Sequence, residues 1–285
     1  MLDGVVAGLV SGSAYAIVAV CVVGLYRLVG VLNFSQAALG AFGAYACYSL
    51  VEAGLPLWLA VLAGLAFSAV LAGLAGWALS RWFGSPTVLV KSVISAVLFL
   101  VVLSVGYRLF GDSPRAMPSF VTEMTLEVAG VRVSVATLIA TVAALAIAAA
   151  LTLLLRHTQV GLQLRAMSER PVTAQLLGIN TGRLAVIVWA STGVLSALAM
   201  LLIAPTRNPT FESMSFLIVP AVAAALVGSF SHVWIATVAA LLIGVVEGAA
   251  SRIDVLSDYR GVLPAVIILF ALIWLRRREV WDAVR

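Results

Sequence analysis

Two carboxylates lie inside long apolar stretches of this sequence, and they are candidates for proton or ion chemistry. Glu52 lies near the end of one stretch, and Glu247 lies between Gly244 and Gly248 on a small-residue face of another. A charged carboxylate in a hydrocarbon environment is costly, so it either reaches a polar interface or serves an ion pathway. Glu52 is interpreted as an interfacial acid, whereas both interpretations stay open for Glu247.

A second group of polar candidates, Asn33, Ser35 and Gln36, opens the apolar stretch 34–53. A helix that begins with polar side chains presents the positive end of its dipole to an anion, as broken helices do in transporters. The same residues can also do no more than cap the helix. Hydroxyl groups recur at helical spacing in a later stretch, where they either line a pathway or join helices; they belong to Ser191, Thr192 and Ser196.

The sequence carries no recognisable catalytic motif. There is no phosphate-binding glycine loop, and the only lysine, Lys91, follows no glycine-rich segment. Neither a zinc-protease motif nor a serine-hydrolase motif is present. The two cysteines, Cys21 and Cys47, have no metal or redox spacing, and the two histidines, His157 and His232, are remote from them. We therefore expect no catalytic residue, no metal site and no cofactor on this chain.

Composition identifies the environment in which these residues must be positioned. Of the 285 residues, 63% are apolar and 10% are charged, and the mean hydropathy is +1.15. Soluble proteins are about 45–50% apolar and about 25% charged, so a soluble, disordered or coiled-coil chain is excluded. Nine apolar stretches approach the roughly 20 residues that a membrane-spanning helix needs; they lie near 4–25, 34–53, 57–80, 87–110, 133–155, 183–205, 213–229, 231–250 and 260–275.

These stretches predict an all-α polytopic membrane protein with about eight to nine transmembrane helices in one domain, 1–285. The stretch 34–53 is the least regular and could be a broken or re-entrant helix. Of the 17 Lys and Arg residues, eleven fall on one side of this arrangement, including Arg276–Arg278. Because cytoplasmic loops carry the excess of Lys and Arg, we expect the N-terminus outside and the C-terminus in the cytoplasm. The outer loop, about 111–132, contains a Val-rich stretch that suggests a hairpin.

The inner loop, about 156–182, predicts one short helix at the cytoplasmic face. Ser168 is expected to cap its start, Pro171 fits its first turn, and Gly178 fits the left-handed position after its end. Thr181 is expected to cap the next span. Such a helix of about two turns either docks into a groove on a soluble partner or only ties two spans together.

Two segments resemble ABC importer permeases of the branched-chain amino-acid type. Arg165-Ala166 with Ala174 and Leu177-Gly178-Ile179-Asn180 resembles the cytoplasmic loop of that family. Asn33-Phe34-Ser35-Gln36, followed by Gly43-Ala44-Tyr45, resembles another of its segments. The resemblance covers roughly 1–275. The chain departs from the family pattern in three places, which are Ala37, Ala225-Leu226 and His232-Val233-Trp234.

The resemblance implies a permease subunit of the bacterial inner membrane that moves branched-chain or related amino acids, with amides, urea-like compounds and small carboxylates as further options. Its partners would be two cytoplasmic P-loop ATPases that bind ATP–Mg, a second permease of the same or a related chain, an extracytoplasmic solute-binding protein and the lipid bilayer, with no nucleic acid. The alternatives are a stand-alone secondary transporter or channel and, with least support, an integral-membrane enzyme.

The resemblance also assigns roles to individual residues. The residues expected to couple the chain to the ATPase are Glu169, Ala174, Leu177, Gly178, Ile179 and Asn180. The residues expected along a substrate pathway rest instead on polar side chains in or beside apolar stretches and, for Tyr45, on the resemblance; they are Asn33, Ser35, Gln36, Tyr45, Ser191, Thr192 and Glu247.

Overall fold

The computed structural model describes residues 2–83, 87–117, 125–128, 131–207, 209–251, 262 and 264–270. Its helices are α1 (Leu2–Val29), α2 (Gln36–Glu52), α3 (Leu57–Trp82), α4 (Val88–Phe110), α5 (Val135–His157), α6 (Gln159–Glu169), α7 (Pro171–Leu176), α8 (Thr181–Arg207), α9 (Phe211–Ser215), α10 (Ile218–Val227) and α11 (Val233–Ala250). Residues 264–270 are also helical. The strands β1 (Thr125–Val128) and β2 (Val131–Ser134) pair antiparallel, so the predicted hairpin in the outer loop is confirmed.

Six helices in the described part of the chain are long and apolar enough to cross a membrane: α1, α3, α4, α5, α8 and α11. The helical polytopic architecture is therefore confirmed. Helix α2 has 17 residues, and α9 and α10 divide the apolar segment Phe211–Val227 into two pieces. Much of the ninth stretch and Arg276–Arg278 lie outside the described residues. The number of eight to nine transmembrane helices accordingly stays a prediction.

The contacting residues give the relative direction of each span. Gly8 of α1 faces Gly244 of α11 and Gly12 faces Leu241, so these two helices are antiparallel. The residues in contact between the other helices show that α2 is antiparallel to α3 and parallel to α4 and α8. They also show that α5 is parallel to α1. The end of α1 lies beside the start of α8. From α1 to α5, with α2 included, successive segments thus alternate in direction, and α8 again runs opposite to α5. Helix α11 runs in the same direction as α8, with the short helices α9 and α10 between them.

Small residues let α1 and α11 approach closely. A methyl group added at Gly8 would overlap the backbone of Gly244, and one added at Gly12 would lie 2.9 Å from the Leu241 carbonyl oxygen. Helix association in membranes depends on such close backbone packing because lipid tails supply no hydrophobic driving force between helices. The glycines of α1 and α11 therefore provide the tightest side of the bundle.

Helix α2 occupies the middle of the bundle between α3 and α8. All of its residues from Gln36 to Tyr45 are buried. A methyl group at Gly40 would lie 2.6 Å from the backbone of Ser196 in α8. On the other side, the Ser68 hydroxyl of α3 lies 3.0 Å from the Leu39 carbonyl oxygen and 2.9 Å from that of Gly193, so one side chain connects α2, α3 and α8.

Candidate functional site

Helix α7 lies at one end of the bundle, next to the end of α1, the end of α3 and the start of α8. We call this end the α7 end. Pro171 occupies the first turn of the helix, as predicted. Gly178 adopts φ +84° and its N–H donates to the Gln175 carbonyl at 2.9 Å, while Ile179 donates to Ala174 at 3.0 Å. This pair of hydrogen bonds is the Schellman motif, so the predicted end of the helix is confirmed.

Two predicted caps are wrong. Ser168 does not begin α7, because it lies in the last turn of α6, where its hydroxyl donates to the Arg165 carbonyl at 2.8 Å. The residue before α7 is Arg170. The preceding helix, α6, is capped by Thr158, whose hydroxyl accepts from the Gly161 N–H at 2.9 Å. The cap of α8 is Asn180 rather than Thr181, since the Arg183 N–H donates to the Asn180 Oδ1 at 2.9 Å. The inner loop thus contains two helices rather than one.

The surface of α7 separates into an anchored side and an exposed side. Ala174 is only 2% exposed, and Ile179 packs against the buried apolar residues of the α7 end. By contrast, Val172, Leu176 and Leu177 are 70%, 84% and 75% exposed. Exposed apolar patches mark contacts with a protein partner or with the membrane. The structure therefore presents an apolar surface on a short helix whose other side is fixed to the bundle.

The predicted coupling residues come together around this helix. Ala174, Leu177, Gly178 and Ile179 lie in α7 or in the turn that ends it, and Asn180 caps the next helix. Glu169 is exposed at the end of α6. The Gln175 side chain donates to the Thr181 hydroxyl at 2.7 Å and holds the turn between α7 and α8.

A buried polar network surrounds the start of α2. Asn33 donates to the Gln36 Oε1 at 2.8 Å and accepts from the Ser35 hydroxyl at 2.7 Å. The Gln36 Nε2 donates to the Thr192 carbonyl oxygen at 2.8 Å and lies 2.7 Å from the Ser196 hydroxyl. All five residues are buried. Four of the predicted pathway residues, Asn33, Ser35, Gln36 and Thr192, are thus brought together and joined to α8.

The segment before α2 is fixed to α4 by a serine that sequence reasoning did not single out. The Ser95 hydroxyl lies 2.6 Å from the Leu32 carbonyl oxygen and accepts from the Phe34 N–H at 3.2 Å. Ser92, one turn earlier in α4, also accepts from the Leu32 N–H at 3.4 Å, so the pair of serines at helical spacing was the signal that could have pointed to this contact. The start of α2 is consequently held by both α4 and α8.

The remaining predicted pathway residues lie elsewhere. The Tyr45 hydroxyl donates to the Pro209 carbonyl at 3.0 Å within an aromatic cluster that includes Phe110 and Phe211. Ser191 is exposed and its hydroxyl donates to a carbonyl of its own helix. Glu247 is half-buried and accepts from the Tyr15 hydroxyl at 2.7 Å. The assignment of these residues to one substrate pathway stays a prediction.

Glu52 lies at the end opposite α7. It is 54% exposed, accepts from the Tyr48 hydroxyl at 2.6 Å and lies 3.5 Å from the Arg115 guanidinium. Arg115 also stands over the Tyr48 ring at 5.2 Å. An exposed, ion-paired carboxylate at the end of a helix fits the interpretation of Glu52 as an interfacial acid. In the described part of the chain, no three His, Cys, Asp or Glu residues are placed to hold a metal ion.

Comparison with known proteins identifies relatives along nearly the whole chain. The profile of the family described as "Branched-chain amino acid transport system / permease component" matches residues 4–272. The high-affinity branched-chain amino acid transport system permease protein LivH of Escherichia coli (strain K12) is 25% identical over 93% of this chain and 91% of its own length. The corresponding BraD of Pseudomonas aeruginosa is 25% identical over 96% and 93%.

A permease named for a different solute matches a shorter region. The ribose import permease protein RbsC of Haemophilus influenzae is 30% identical over 127 residues, which are 42% of this chain and 39% of that protein. No solved structure matches the chain.

Proposed function

This chain belongs to the branched-chain amino acid permeases of ABC transporters, and on that premise we propose that it is the membrane subunit of an ATP-driven importer in which α7 receives the motion of a partner ATPase. It is a multi-pass inner-membrane protein. In the proposed assembly, a separate P-loop ATPase hydrolyses ATP–Mg, and this chain supplies half of the membrane pathway beside a second permease, with an extracytoplasmic binding protein delivering the solute.

The exposed apolar side of α7 is the observation that carries this proposal. Leu176 and Leu177 are large apolar side chains that the bundle leaves uncovered, while Ala174 fixes the other side of the same helix. A partner that covers the two leucines gains about 1.5–3 kcal/mol for each side chain that it fully buries. Because the Schellman turn and the Gln175–Thr181 hydrogen bond fix α7 to α8, a push on α7 reaches a long span directly.

The orientation of the chain follows in the same proposal. If α7 meets a cytoplasmic ATPase, the end of α1 is cytoplasmic and its start lies outside. The Lys and Arg excess near the inner loop supports this orientation. ATP binding would then favour one facing of the pathway, because the ATPase dimer binds the two positions of α7 with different affinity.

Branched-chain or related amino acids are the proposed cargo. LivH and BraD align with more than nine-tenths of the chain, and both are named as permeases for branched-chain amino acids. The shorter match to a ribose permease makes a sugar the alternative cargo. Uptake of radiolabelled leucine or ribose into vesicles loaded with ATP, with the complete assembly present, decides between the two.

Co-purification tests the role of α7. The complex is solubilised from native membranes in mild detergent and captured through this chain, and bound ATPase is identified by mass spectrometry. We expect a P-loop ATPase with the unaltered chain and loss of it when Leu176→Asp and Leu177→Asp are combined. Leu162→Asp on the neighbouring helix α6 changes a leucine that is 54% exposed and serves as the control.

The outcomes separate the proposed function from its alternative. If ATPase is lost only in the α7 variant while the permease stays folded, α7 is the docking helix. If no ATPase accompanies the unaltered chain, the importer proposal fails. The chain would then be tested as a stand-alone carrier driven by an ion gradient.

A further inference from the structure

A cavity of about 370 Å³ lies at the α7 end, between α7 and the membrane bundle. The ends of α1 and α3, the start of α4, and the segments around α6, α7 and α8 form its walls. Small-molecule sites in proteins range from about 300 to 1,000 Å³. The cavity is therefore large enough for a small ligand or for the head group of a lipid.

The walls of this cavity combine apolar and polar groups. Leu28, Leu79 and Phe83 form apolar surface, and the buried Trp189 closes the side that faces the bundle. The polar lining consists of hydroxyl and amide groups from Ser80, Ser168, Thr181 and Gln175. A ligand that suits such walls has a polar part and an adjoining hydrocarbon part.

The charged group in the cavity lining determines which charge the polar part of the ligand should carry. Among the described residues that line the cavity, Lys91 is the only charged one, and it is also the only lysine in the sequence. None of these described lining residues carries a carboxylate, and the one ion pair found among the described side chains, Arg115–Glu52, is at the opposite end. An ammonium group partly removed from water is stabilised by an anion, and lysine is a frequent partner of phosphate.

The backbone of α8 adds to this positive potential. Thr181 and Gly182, the first two residues of this 27-residue helix, also line the cavity. The N–H groups of a first helical turn have no partner within the helix and carry the positive end of its dipole. Lys91 and the start of α8 therefore act on the same space.

We propose that this cavity binds the phosphate of an anionic ligand, with Lys91 as its counter-charge and Leu28 and Leu79 beside its hydrocarbon part. The source of the phosphate is either a membrane phospholipid or a soluble phosphate ester. Such a ligand contacts α3, α4 and α7 at once, so its presence ties α7 to the bundle. The site follows from the cavity alone and does not depend on the proposed transport function.

Two probes distinguish the sources of phosphate. The full chain in its native complex is reconstituted into nanodiscs of phosphatidylcholine alone or of phosphatidylcholine with phosphatidylglycerol, and retained lipid is measured by native mass spectrometry. Binding of glycerol 3-phosphate to the phosphatidylcholine nanodiscs is measured by calorimetry. The key variant is Lys91→Gln. Arg81→Gln is the matched control because Arg81 is an exposed cation at the same end that does not line the cavity.

We expect Lys91→Gln to weaken binding of one probe at least tenfold and Arg81→Gln to leave it unchanged. Retention of phosphatidylglycerol alone identifies a lipid site, and binding of glycerol 3-phosphate identifies a site for a soluble ester. Ser168→Phe, at an exposed position of the lining, fills the opening without removing charge and should also abolish binding. The proposal is overturned if neither probe binds, or if Lys91→Gln and Arg81→Gln weaken binding equally.

Discussion

Replacing Gln36 with methionine distinguishes a structural role from a pathway role for the polar network at the start of α2. Gln36 makes hydrogen bonds with Asn33, with the Thr192 carbonyl oxygen and with the Ser196 hydroxyl. Methionine has nearly the same length and volume, so Gln36→Met removes these hydrogen bonds without opening a large cavity. The measured effect therefore reports mainly on the hydrogen bonds.

The expected magnitude follows from the number of bonds. Two of these three hydrogen bonds join α2 to α8, and hydrogen bonds between membrane helices average about 0.6 kcal/mol, so their loss predicts a decrease of about 1 kcal/mol in the free energy of unfolding. Ser191→Ala is the control, because Ser191 is exposed and bonds only within α8. Its effect should stay within about 0.5 kcal/mol, as for most surface substitutions.

Reversible unfolding in mixed detergent, followed by tryptophan fluorescence, measures both variants, and solute uptake is measured on the same preparations. If Gln36→Met lowers stability by about 1 kcal/mol, the network joins α2 to α8 as the structure indicates. The reasoning is refuted if Gln36→Met keeps full stability and abolishes uptake, since Gln36 would then act on the solute itself.

Three further predictions test other parts of the structure. Gly8→Ala should destabilise the protein, because the added methyl group would overlap the backbone of Gly244. Gly24→Ala in the same helix brings a methyl group against only the tip of a leucine side chain, so this variant should stabilise the protein by roughly 0.5–1 kcal/mol. Thermal unfolding compares the two, and effects of the same sign would contradict the described packing. Gly178→Val forces a branched residue into a left-handed conformation at a cost of about 1–2 kcal/mol, so less ATPase should co-purify with this variant. Gly178→Asn should retain ATPase binding, because asparagine tolerates that conformation. Equal ATPase binding by the two variants would show that the turn has no role in docking. Glu247→Gln keeps an acceptor for Tyr15 and should leave ATP-driven uptake unchanged without an ion gradient, whereas lost uptake would indicate an ion relay.

The sequence predicted the end of the short helix α7 better than its start. Pro171 and Gly178 act through their own backbone geometry, so their positions in the helix were correct. The caps Ser168 and Thr181 were wrong because a polar residue becomes a cap only where the chain turns. That turn is set by α6, whose Leu164 and Met167 are buried against the bundle, and this packing is not visible in the local sequence.

The candidate pathway residues illustrate a second limit. Asn33, Ser35 and Gln36 are neighbours in the sequence, and their grouping was evident before the structure. The residues that this segment contacts are distant in the sequence: Ser95 is 61 residues from Phe34, and Ser196 is 160 residues from Gln36. Serines and threonines are frequent between membrane helices, so their type alone does not say which helix they join.

The sequence by itself determined that this chain is a helical, polytopic membrane protein and that a short helix ends at Gly178. These properties depend on composition, on the length of apolar segments and on the backbone preferences of single residues, all of which are local. Only the tertiary structure placed α2 at the centre, paired the glycines of α1 with those of α11 and left Leu176 and Leu177 exposed. These features depend on which distant surfaces pack together, and a nearly uniform apolar pattern leaves that choice open.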